Sequence, residues 1–115
     1  MTASPFIVYA ASSLEPAFRR LIPAFEQESG ASVQAVYGHS GALRLEIAGH
    51  MACDLFCSAD KGNAALLEQT GLARGLFPFA RNRMIVATRN ERRFQSEDWL
   101  EILCDPSLSI GTSTP

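Results

Sequence analysis

Lysine is almost absent from this chain of 115 residues, where Lys61 stands alone beside nine arginines. The positive charges are therefore nearly all guanidinium groups that cannot be deprotonated. No long run of either sign accompanies them, and the net charge is −2. A nucleic-acid protein carries a basic stripe or patch, so that class is set aside. Long apolar runs are missing as well, which excludes a transmembrane helix read from hydropathy. The opening Met1-Thr-Ala-Ser-Pro5 has neither the basic start nor the apolar core of a signal peptide. Either such a signal has been removed or the protein is cytoplasmic. The three cysteines, Cys53, Cys57 and Cys104, are odd in number, which argues against a disulfide framework. Cys53 and Cys57 fall in what reads as a strand, where four residues span roughly 13 Å, too far for a bridge. Without a nearby histidine pair a metal site is not expected either, and all three read as small buried hydrophobes.

Enzyme signatures are scarce too. There is no Gly-x-Ser-x-Gly elbow and neither phosphate-cradling glycine fingerprint. The two histidines, His39 and His50, show no partner arrangement, and His50 reads as a helix C-terminal residue more than as a base. No catalytic residue is assigned. What is present is an ordinary globular composition, 47% hydrophobic and 19% charged, in a length that suits one domain or a piece of one.

The apolar run Phe6-Ile7-Val8 leads through Tyr9-Ala10-Ala11-Ser12-Ser13 into a helical pattern. That reads as strand, turn and helix. The first helix spans about Leu14 to Ser29, with Leu14, Ala17, Phe18, Leu21, Ile22 and Phe25 on one face. Pro16 sits in the first turn, Pro23 should kink or loosen the second half, and Gly30 ends the helix. A second strand, Ser32 to Tyr37, is followed by Gly38-His39-Ser40-Gly41 and a short helix from Ala42 to about Ala48. Leu43, Ile47 and Leu45 supply its buried side. A third strand, Asp54 to Cys57, leads through Ser58-Ala59-Asp60 into a helix from Gly62 to Gln69, capped by Asp60 and stopped by Gly71. Strand and helix repeated three times imply a parallel sheet with right-handed crossovers. Beyond Phe79 the pattern predicts a strand over Arg83–Thr88, a helix capped by Ser96 and running to Leu103, a break at Asp105-Pro106, and a further strand at Leu108–Ile110.

Ligands of open parallel sheets bind beyond the carboxyl ends of the strands. The turns at Ala11–Ser13, Gly38–Gly41 and Ser58–Asp60 would all lie there. A serine before an apolar run is usually a helix cap, which is the plain reading of Ser13. Two uncharged turns aimed at one place, each at a helix start, also make an anion site, because unpaired N–H groups and aligned peptide dipoles favour negative charge. Both readings stand at this point.

Three motifs then bring in a family. Val8-Tyr-Ala-Ala-Ser-Ser-Leu14, Gly38-His-Ser-Gly-Ala-Leu-Arg44 and Ala52-Cys-Asp-Leu-Phe-Cys-Ser-Ala-Asp60 together resemble the periplasmic molybdate-binding proteins of ABC transporters, in the family's order and spacing. The resemblance implies an α/β fold: a three-layer periplasmic-binding-protein-like lobe with a mostly parallel sheet and helices on both faces. It also implies a two-lobed receptor closing on a tetrahedral oxyanion, molybdate or tungstate, without a separate cofactor or a metal site. Ser13 and Ser40 correspond to its oxyanion-binding serines, with Ser12 and Gly41 as secondary donors. Asp60 belongs to the pattern's scaffold, since a carboxylate would oppose an anion.

The family is about twice this length. On that basis residues 1–82 are expected to form the N-terminal part of the first lobe, and residues 83–115 the crossover and a truncated start of the second. The chain is then an incomplete fragment of the receptor, which would bind weakly unless two copies pair. The expected partner is the membrane permease subunit of the transporter, with no nucleic acid and with homo-oligomers formed through exposed sheet edges. The compartment is periplasmic if a signal was removed and cytoplasmic otherwise. The alternative is a cytoplasmic ligand-sensing module of a regulatory protein built on the same lobe, which the free cysteines favour. His39 stands where small residues are more usual in the family, and either reports pH or caps the turn.

Overall fold

The computed structural model describes residues 3–91, 95 and 98–112. Three strands form one parallel sheet: β1 (Phe6–Ala11), β2 (Val33–Gly38) and β3 (Leu55–Cys57). The helices are α1 (Glu15–Ser29), α2 (Ser40–Ala48), α3 (Lys61–Gln69) and α4 (Trp99–Leu103), and one 3-10 turn, Ser12–Leu14, joins β1 to α1. The chain divides into two units, Met1–Phe77 and Pro78–Pro115.

In the first unit β1 is the central strand, in the order β2-β1-β3. Its β-branched and aromatic residues suit a pleated, doubly covered position. Alternate residues leave a strand toward opposite faces. Val8 and Ala10 meet Phe18 of α1 and Cys57 of β3, with Leu14, Ile22, Val33 and Tyr37 packed around them. Tyr9, one residue out of phase, is buried on the other face. Burial pushes its phenol pKa up, and the negative groups of Glu46 on α2 and Cys53 push it further. Helix α2 packs on β1 and β2 there, with α3 beside it, and Leu43 and Leu67 are their buried side chains. The expected three-layer arrangement, a parallel sheet with helices on both faces, is the fold observed.

Local chemistry sets most boundaries. Pro16 occupies the first turn of α1, where its missing N–H has no intrahelical acceptor to lose. Pro23 lies inside α1, and the helix runs on through it to Ser29. Gly30 then takes a left-handed φ of 72° and donates its N–H to the Glu26 carbonyl at 2.9 Å, the usual glycine exit from a helix. The Glu26 carboxylate accepts from the Val33 N–H at 2.9 Å, which starts β2. Asp54 precedes β3 but is tied reciprocally to β1. Its N–H donates to the Ile7 carbonyl and its carboxylate accepts from the Ile7 N–H, both at 2.8 Å. The strand itself starts one residue later than the sequence suggests, at Leu55.

The apolar face of α1 is only partly used. Phe18 is buried and Leu14 and Ile22 pack on the core, whereas Ala17, Leu21 and Phe25 are exposed. Leu45 of α2 is exposed too, since of its large apolar side chains the short helix turns only Leu43 and, in part, Ile47 inward. The cysteines are free, and their environments differ: Cys57 is buried, Cys53 half-buried and Cys104 exposed. The expectation of a buried thiol therefore fails at Cys104, which follows the short α4 at the surface. Burial raises the pKa of both Cys53 and Cys57 above the ordinary thiol value.

The second unit corrects the sequence reading most. Arg83–Thr88 is not a strand, and neither is Leu108–Ile110. Met84 is 97% exposed and Ile85 77% exposed. A strand exists only when another backbone meets its N–H and C=O groups, and no described segment pairs with either of these. Helix α4 is present but starts at Trp99, with Asp98 as its cap accepting from the Glu101 N–H at 3.2 Å. Ser96, the expected cap, lies outside the described residues. The helix ends before Asp105-Pro106 as expected, but Trp99 and Leu100 of its apolar side are exposed. No described helix is long and apolar enough to cross a membrane.

Candidate functional site

Strand register brings the three turns together. Ala11 at the end of β1 pairs with Gly38 at the end of β2, and Ala10 pairs with Cys57 at the end of β3. Parallel strands lie about 4.8 Å apart, so the turn after β1 is flanked by the other two along one sheet edge. This is the edge where parallel sheets hold ligands.

Ser12 and Ser13 occupy the 3-10 turn, and both are exposed. Neither caps a helix through its side chain, since the N-cap positions of the turn and of α1 are held by Ala11 and Leu14, without a side-chain cap bond. The plain capping reading of Ser13 therefore does not describe this structure. Helix α2 begins two residues earlier than the pattern suggested, so that Ser40 and Gly41 are its first two residues and His39 its N-cap. The His39 carbonyl accepts the Leu43 N–H at 2.9 Å, and the N–H groups before it have no acceptor inside the helix. Gly38 packs closely on α2: a Cβ there would lie 3.2 Å from Leu43 Cδ2.

Ser40 is the buried member, 9% exposed. Its Oγ accepts the Ala59 N–H at 2.9 Å, joining the second turn to the third. The hydroxyl thus spends an acceptor lone pair on the protein and keeps its proton to donate. In the third turn Ser58 Oγ accepts the Asp60 N–H at 3.2 Å. Asp60 caps α3, as expected, and takes two bonds from Asn63: the backbone N–H at 2.7 Å and the side-chain Nδ2 at 2.8 Å. Asn63 in turn accepts Arg44 Nε on its Oδ1 at 2.8 Å. The Asn63 backbone bond is the main cause holding the Asp60 carboxyl below the ordinary range. Partial burial opposes it, while the Asn63 amide, the Gly62 N–H and the Arg44 guanidinium assist.

The edge therefore offers neutral donors in its first two turns, and its one carboxylate is engaged by Asn63 and screened by Arg44. Among the described residues, no group of three or more His, Cys, Asp or Glu is placed to hold a metal ion. Ala59, Asn63 and the role of Arg44 escaped the sequence reading. Asp60 with Asn63 three residues on is the spacing of a helix N-terminal capping pair, which was the available signal.

Residues 6–115 match the family model described as bacterial extracellular solute-binding protein. The chain belongs to that family, a class of binding proteins associated with transport. Among similar proteins, the uncharacterized protein PM1146 of Pasteurella multocida is 32% identical over 109 residues, covering 94% of this chain and 45% of its own length. The molybdate-binding protein ModA of Mycobacterium bovis is 28% identical over 123 residues, with 97% of this chain and 47% of that protein covered. A solved substrate-binding domain assigned to a molybdenum ABC transporter of Clostridium difficile superimposes with a TM-score of 0.57 at 26% identity, over 59% of this chain and 30% of that one. The chain thus spans about half the length of the curated relatives it matches.

Proposed function

We propose that this chain carries one side of a binding site for a tetrahedral oxyanion, molybdate or tungstate, in a solute receptor that serves an ABC permease from the periplasm. The observation that carries the reading is the convergence of uncharged strand-to-helix turns at one sheet edge, with the buried Ser40 presenting its hydroxyl there. Ser13 and Ser40 are assigned as hydroxyl donors, with Ser12 and Gly41 as neighbouring donors. The matched relatives include proteins named for molybdate or molybdenum, which supports the choice of anion.

Neutral dipoles suit this task. A dianion leaving water needs its lost hydration replaced, and oriented N–H and O–H groups do so without desolvating a charged side chain. A site built of donors also disfavours hydrogen phosphate. That anion carries a proton of its own, which needs an acceptor, and the residues assigned here act as donors. Selection between molybdate and sulfate rests instead on size.

Isothermal titration of the chain with sodium molybdate, against sulfate and phosphate controls, tests the reading. Heat with molybdate that falls sharply in Ser13→Ala and Ser40→Ala is expected. Unchanged affinity in both variants would remove the site assignment, and no heat from a folded sample would remove the proposed activity of this chain.

A further inference from the structure

Around Ser40 the hydrogen bonds close on themselves. Ser40 Oγ holds the Ala59 N–H, Asp60 follows Ala59 in sequence, Asn63 holds the Asp60 carboxylate with two donors, and Arg44 Nε holds Asn63 Oδ1. Arg44 lies four residues after Ser40 on α2, one turn along the same face. The ring thus runs from the N-terminus of α2, across to that of α3, and back. Two of its bonds, Ser40–Ala59 and Arg44–Asn63, each span 19 residues, so no local backbone preference makes them. Strand register and the packing of α3 beside α2 bring the turns near one another, and the Ser40–Ala59 and Arg44–Asn63 bonds tie them together.

We propose that Asn63 and Arg44 are positioning residues that hold the third turn against Ser40, fixing the Ala59 N–H and the direction in which the Ser40 hydroxyl can donate. Where an anion site is concerned this rests on the oxyanion reading above. The bond from Ala59 occupies one lone pair of Ser40 Oγ, and the proton is left to point elsewhere. If the turn carrying Ala59 moves away, that lone pair is freed and the hydroxyl can rotate. Asn63 is the joint of the ring, because it donates to Asp60 through two nitrogens and accepts from Arg44 through its oxygen. A Cβ on Gly41 would lie 3.9 Å from the same Asn63 oxygen, so the joint sits directly beside the second turn. Arg44 has a second effect, since its positive charge helps to keep Asp60 ionised and hence accepting.

The test uses the chain itself with Asn63→Ala and the milder Arg44→Met, read in two independent ways. Amide hydrogen exchange of Ala59 is followed by NMR without any ligand. It should speed up by about tenfold or more in Asn63→Ala and by less in Arg44→Met, while Val8 and Tyr9 in β1 stay unchanged. Sodium molybdate titration forms the second arm. Asn63→Ala should weaken binding about fivefold in the wild-type background but less than about twofold when Ser40 is already alanine, because the two act through one bond. Ala59 exchange unchanged in both variants overturns the proposal, as does a molybdate loss that is the same with and without Ser40. Accelerated Ala59 exchange in a chain that binds no molybdate supports the positioning role and removes the proposed activity of this chain instead.

Discussion

The two units of this chain have similar raw material and different outcomes. Phe6-Ile7-Val8 and Met84-Ile85-Val86 are both short apolar, β-prone runs. The first belongs to the central strand of a parallel sheet, where Val8 is buried and paired on both sides. The second has no strand assignment, and its side chains face solvent. Propensity is thus a permission, and the strand comes from pairing and burial. Covered faces follow the same rule: Phe18 of α1 meets Val8 and Ala10, while Trp99 of α4 is exposed.

Substitutions can break this contrast. Leu43→Ala, at a side chain 2% exposed, should cost about 2–5 kcal/mol by chemical denaturation, as buried leucines do. Ser40→Ala should cost about 1–3 kcal/mol, because the Ala59 N–H loses its acceptor. Ser13→Ala, an exposed hydroxyl with no cap bond, should change stability by less than about 0.5 kcal/mol. Both serine variants should weaken molybdate binding by about 1–3 kcal/mol if each donates to the anion. Equal stability loss in the two would mean that Ser13 has a structural bond.

Asp60→Ala should cost about 1 kcal/mol through loss of the α3 cap. Its pH dependence has a definite sign. The folded carboxyl titrates below the ordinary value, so its stabilisation is complete above about pH 4 and is lost as pH falls through the lower folded value. The difference between wild type and Asp60→Ala should therefore shrink only in acid. A difference that is flat down to pH 2 would contradict the capping role. The smallest effect is expected at Ile85→Ala, less than about 0.5 kcal/mol by thermal melting; a loss comparable to that at Leu43 would show that Arg83–Thr88 is covered in solution.

Much of the first unit was legible in the sequence because its signals are local. Gly30, Pro16 and Asp60 each mark a helix end by their own chemistry, and each acts there as read. The parallel sheet followed from three strand-helix alternations. Exposure of Leu21, Phe25 and Leu45 was not legible, since periodicity tells which residues share a face and not whether anything covers that face. The failed strands at Arg83–Thr88 and Leu108–Ile110 have the same origin in pairing. At the candidate site, Ser40 stood out by type and position, but its bond to Ala59 spans 19 residues and depends on register. The Arg44–Asn63 bond is equally non-local.

The central place of β1 also sets a schedule for folding. Both neighbours of Phe6–Ala11 are parallel partners that come later in the chain, β2 ending at Gly38 and β3 at Cys57. Parallel pairing always waits for a crossover, and here both edges of the first strand wait. At ribosomal speeds of roughly 5–20 residues per second, the stretch from Ala11 to Cys57 takes on the order of seconds to emerge. Until β2 emerges β1 is made and unpaired, and until β3 follows one of its edges stays open. The segment that finally anchors the sheet is therefore also the one most in need of early protection.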